Sequence, residues 1–92
     1  MPAYRIEFAP AAFRQFKVFP DKAKKRLAFK IDGLSSDPRP AGCAKLKGSR
    51  DICRVRMGVF RILYQIRDED LLILVVGIAH RSKAYRRTSG LK

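Results

Sequence analysis

Three arginines, Arg54, Arg56 and Arg61, lie within the segment ICRVRMGVFRILYQI, residues 52–66, and a second group, His80, Arg81, Tyr85 and Arg86, follows in HRSKAYRR. Arginine keeps its proton in any protein and presents a planar fork of donors that matches a phosphate bidentately. Histidine changes charge near neutral pH. A tyrosine ring offers a flat surface on which a nucleotide base can stack. Together these residue types suit a site that grips an RNA backbone by charge and orients one base. The competing reading is a solvated cationic face, because arginine stems cover apolar surface well while their heads stay in water. Taken alone, a tyrosine like Tyr85 more often packs on a core and a histidine like His80 is more often structural; the clustering carries the argument.

The elements that must position these residues can be read from periodicity. Cys53, Val55 and Met57 alternate with Arg54 and Arg56, which predicts a strand over 52–57, and FRILYQI continues the pattern over 60–66. A connecting loop of two residues, Met57-Gly58, or of four, sets Arg54 opposite Arg61 with Arg56 two positions along. All three then leave one face. An odd loop would turn Arg61 toward the core, where an unpaired guanidinium is very costly. The run LLILVVGI, 71–78, is apolar on consecutive residues, as in a strand covered on both faces, and RDED, 67–70, is the turn before it. His80, Arg81 and Tyr85 follow that strand and are expected to emerge at one end of the sheet beside Arg61.

Upstream, AYRIEF, 3–8, alternates as a half-buried strand. Pro10 opens a short helix over 10–19 with Phe13 and Phe16 on one face. Pro20 interrupts it, and Asp21 places a carboxylate at the positive end of a second helix over 21–34. Ala23, Leu27, Ile31 and Leu34 recur there at helical spacing, and Lys22, Lys24, Lys25, Arg26 and Lys30 occupy the other faces. SSDPRPAG, 35–42, is a loop. The predicted order is β-α-α-β-β-β, an α+β fold with two N-terminal helices packed on one face of a small antiparallel-rich sheet and the other face partly open.

Composition bounds the partners. Ninety-two residues make a single domain, 1–92. Its 21 Lys and Arg against 8 Asp and Glu give a net charge of +13, which self-repels in a compact body and points to an anionic partner. The longest apolar run is far short of the roughly 20 residues a membrane-spanning helix needs. The N-terminal residues lack the apolar core of a secretion signal, so the expected location is cytoplasmic, without membrane association. Cys43 and Cys53 form no CxxC pair and the chain has one histidine, so the expectation is two reduced thiols, no metal and no cofactor.

The blocks DPRP, KLKG, RVRMGVFRILYQI and HRSKAYRR, in that order, together with YRIEFAPAAFRQF, resemble the RelE/ParE toxin superfamily and specifically its RelE branch, over nearly the whole chain. The resemblance implies the RelE-like, microbial ribonuclease-type fold. It also implies a toxin of a type II toxin–antitoxin module, acting as a metal-independent endoribonuclease that cuts mRNA in the ribosomal A site. In that chemistry the ribose 2′-OH attacks the adjacent phosphorus and leaves a 2′,3′-cyclic phosphate and a 5′-OH. The implied partners are a cognate acidic antitoxin, mRNA with the 70S ribosome, and operator DNA reached only through the toxin–antitoxin complex.

By position, Arg61 resembles the family arginine that stabilises charge on the scissile phosphate, and Arg81 the one that holds that phosphate or protonates the leaving oxygen. Tyr85 resembles the tyrosine that orients the nucleotide. Lys45, Lys47, Arg54, Arg56 and Arg86 are the implied RNA-binding residues. Arg54 and Arg56 depart from the family pattern, which carries lysines there, one of them proposed as general base. Neither arginine can fill that role. Either His80 moves the proton, or the site works by electrostatics and positioning on a 2′-OH oriented by the ribosome. Two rivals remain: a ParE-like gyrase poison on the same fold, and a non-enzymatic basic protein that binds RNA or DNA with steep salt dependence.

Overall fold

The computed structural model describes residues 3–45 and 52–80. Strand β1, Arg5–Phe8, leads through Ala9 into helix α1, Pro10–Lys17; a short turn and Pro20 then start helix α2, Asp21–Gly33. Each helix begins beside a proline, whose fixed φ suits a first turn and whose missing N–H has no partner to lose there. Strands β2, Ala44–Lys45, β3, Ile52–Met57, β4, Phe60–Arg67, and β5, Leu72–His80, complete the described residues. The two-residue β2 is an addition to the predicted element order; it is too short to leave a period in the sequence.

The five strands form one mixed sheet in the order β1-β5-β4-β3-β2. β1 runs parallel to β5, and the remaining neighbours are antiparallel. Two helices on a mostly antiparallel sheet is the predicted α+β architecture. Leu27, Ile31 and Leu34 of α2 and Ala12 of α1 pack with Val55, Ile62, Tyr64, Ile66, Ile73, Val75 and Ile78 in one buried cluster. The predicted apolar stripe of α2 is therefore its core face, with Ala23 only half-buried. Phe16 packs on that core, but Phe13 does not share its fate. It stays 49% exposed, edge-on to Phe8 and beneath the Lys17 ammonium. No helix among the described residues is long and apolar enough to cross a membrane.

Two polar contacts tie the loop after α2 to the sheet. Tyr64 is fully buried, and its hydroxyl donates to the Pro38 carbonyl at 2.8 Å. Burial, with the nearby cysteines, pushes its phenol well above the ordinary value. At the β4–β5 turn, Asp68 accepts from Arg39 Nη2 at 2.9 Å and from the Tyr4 hydroxyl at 2.6 Å. The Arg39 hydrogen bond first, then that of Tyr4, holds the Asp68 carboxyl below the usual carboxylate range.

Candidate RNA-binding face

A two-residue loop, Gly58-Val59, joins β3 to β4, so that Met57 pairs with Phe60 and Arg56 with Arg61. Gly58 has φ +62°, the left-handed backbone that the first central position of a type II′ hairpin turn requires and that glycine adopts without penalty. The loop is even, as the cost of burying Arg61 demanded, but it lies one residue later than Met57-Gly58. The opposed pair is therefore Arg56 and Arg61, not Arg54 and Arg61; Arg54 faces Leu63. Parity is unchanged, and all three arginines leave the face of the sheet that the helices do not cover.

Directly paired residues have Cβ atoms about 4.5–5.5 Å apart, and opposed like charges weaken a sheet by roughly 0.2–1 kcal/mol. No carboxylate among the described residues is paired with either arginine. Among the described residues, the ion pairs join Arg5 to Glu7, Lys24 to Asp21 and Arg39 to Asp68, and none involves Arg54, Arg56 or Arg61. Arg67 shares the face and bonds Gln65. Small residues lie alongside on β5, with Gly77 across from Leu63 and Ala79 across from Arg61. The stem of Arg61 thus crosses a strand that presents little more than a methyl group.

That arrangement on β5 comes from a bulge. Tyr64 pairs with Val75 but Leu63 pairs with Gly77, leaving Val76 unmatched. One extra residue reverses the facing of every later side chain. Ile78 and His80 consequently point to the helix side, and His80 sits edge-on to Phe60 with ring centres 5.4 Å apart. His80 was expected beside Arg61. The structure instead places it on the opposite face, behind the hairpin.

Lys45, on β2, is exposed and paired with Cys53, so it takes the other face from Arg54. Lys47, Arg81, Tyr85 and Arg86 lie outside the described residues. Gln15 is a positioning residue that no sequence signal marked. β1 stops pairing β5 at Val75, and beyond that point Gln15 Oε1 accepts the Ile78 N–H at 2.8 Å. A helix side chain thereby holds the end of β5 that runs past the arginines.

A family model described as the ParE toxin of type II toxin–antitoxin systems matches residues 6–85, and the chain belongs to that family. Among its relatives is a chain from Methanocaldococcus jannaschii bearing the name toxin RelE1, 29% identical over 86 residues, which span 90% of this chain and 96% of the relative. The RelBE2 toxin–antitoxin complex of Mycobacterium tuberculosis contains a chain that superposes with a TM-score of 0.78 at 25% identity, over 89% of this chain and 95% of that one. The isolated RelE toxin of Escherichia coli superposes with a TM-score of 0.76 over 96% and 97%, and at 23% identity it shows the shared fold. Membership of a type II toxin family thus goes with the fold that those RelE chains share.

Proposed function

We propose that this protein is a single-domain, ribosome-dependent endoribonuclease that cuts mRNA in the A site by 2′-OH attack and so arrests translation in the cytoplasm. The observation that carries the reading is the Arg56–Arg61 pair, opposed on an uncovered face with no carboxylate among the described residues bound to either. Such a pair is unfavourable in the free protein and favourable once a phosphate lies between the forks. Arg61 takes the developing charge on the scissile phosphate, and Arg54 and Arg56 hold its neighbours. Arg81 and Tyr85 complete the site from the segment after β5, which ends one position beyond the partner of Arg61. With His80 behind the sheet and only arginines on the hairpin, catalysis rests on positioning and electrostatics. An acidic antitoxin silences the toxin, and the pair binds operator DNA. RelE-named relatives, including toxins solved with RelB partners, support this reading.

The family description favours a second reading, a ParE-like gyrase poison, and so does the lack of a lysine base on the hairpin. Brief induction separates the two. The nuclease reading expects primer-extension stops within codons of translated mRNA, lost on adding a translation inhibitor that empties the A site and lost in Arg81→Ala. DNA breaks and an SOS response with intact mRNA would establish the poison and sink the nuclease.

A further inference from the structure

Outside the arginine face, the feature left without a role is on α2. Its core side is Leu27, Ile31 and Leu34, yet Phe29, turned away from them, is 82% exposed. Phe29 lines a shallow cavity of 370 Å³ with Lys25, Arg26, Lys30 and, from the end of β3, Met57. Lys25 and Arg26 lie four and three positions before Phe29, so their side chains flank it on the helix surface. Among the described residues, no carboxylate lines the cavity. An apolar floor with a cationic rim is built to recognise something whose own surface alternates apolar and acidic groups.

We propose that this groove seats a short acidic amphipathic segment of the antitoxin, one apolar side chain resting on Phe29 and Met57 with flanking carboxylates on Lys25, Arg26 and Lys30. The proposal rests on the toxin–antitoxin reading above and deepens it by naming where the partner is held. A single-stranded RNA also pairs stacking with cations, but Met57 and Phe29 offer no donors or acceptors to base edges, and the concave apolar floor suits an aliphatic side chain. Met57 packs on the helix side of the sheet, opposite the face of Arg61. The groove therefore anchors a partner without itself covering the arginines, and the blocking contact is a separate one.

The test uses the full chain with two probes, a synthetic helical peptide of leucines at three- and four-residue spacing among glutamates, and an oligouridylate RNA. The peptide is expected to shift the Met57 methyl signal, and Phe29→Ser or Lys25→Glu/Lys30→Glu is expected to weaken it by at least about tenfold, while mRNA cleavage on ribosomes is unchanged. Peptide binding insensitive to these substitutions, or shifts confined to residues around Arg61, would overturn the proposal. So would oligouridylate binding that depends on Phe29, or cleavage lost in Phe29→Ser, either of which makes the groove an RNA surface. If the unaltered chain fails to cut mRNA but still binds the peptide through Phe29, the nuclease reading fails and the groove stands.

Discussion

Arg61→Met separates what the arginine face does for the fold from what it does for function. Methionine keeps an unbranched stem of similar reach over Ala79 and removes the charge that opposes Arg56. Because Arg56 is exposed, the relieved repulsion sits at the lower end of the cross-strand range, about 0.3–0.5 kcal/mol. At about 4–8 °C per kcal/mol for a domain of this size, Tm should rise by about 1–4 °C in low salt. At about 1 M salt, where the screening length is near 3 Å, the gain should vanish. Arg56→Met should give a similar gain, and the double variant no more than either single, since one substitution already breaks the pair. Cleavage of ribosome-bound mRNA should fall by about 10²–10³, as expected for losing one donor to a developing anion. Thermal unfolding at two salt concentrations and primer extension with purified ribosomes read the two effects. A fall in Tm in low salt would show that the guanidinium is paired and structural, and unchanged cleavage would remove Arg61 from the site.

Gln15→Leu leaves the Ile78 N–H without its acceptor and should cost about 1–2 kcal/mol, with cleavage reduced beyond the loss of folded protein because the end of β5 loosens; denaturant unfolding and cleavage per folded molecule check both. The depressed Asp68 carboxyl contributes stability that is complete above its unfolded value near 3.8 and is lost as pH falls through its lower native value. In Asp68→Asn the acid limb of a stability-versus-pH curve should flatten. Tyr64 runs the other way: neutral and buried in the fold, it ionises near 10 when unfolded, so stability should fall as pH rises above 10. Tyr64→Phe should reduce that alkaline decline, leaving the part that Tyr4 contributes through its bond to Asp68, while costing about 1–3 kcal/mol at neutral pH from the unpaired Pro38 carbonyl.

The hairpin was legible in the sequence because strict alternation over 52–57 and 60–66 leaves only parity to settle, and the cost of burying a guanidinium settles it. Its register was legible only to within one residue, since Met57-Gly58 and Gly58-Val59 both offer a glycine to an even loop. The bulge at Val76 left no trace, because a run that is apolar at every position from 71 to 76 carries no period to break. That silence is why His80 was expected on the wrong side. Phe13 shows the same limit on helices: periodicity marks which residues could form an apolar stripe, and only the neighbours decide which are covered. Gln15 was invisible for a simpler reason, since its partner is a backbone N–H some sixty residues away.

The parallel pairing of β1 with β5 joins Arg5 to Leu72, so the first strand to be synthesised waits for the last. Loop-closure entropy for that contact is spent only when nearly everything between has emerged, whereas the β3–β4 hairpin and its β5 neighbour close locally. During synthesis the five-stranded sheet therefore stays open on its β1 side until β5 has left the exit tunnel, and the edge that β1 closes is among the last parts of the described fold to form.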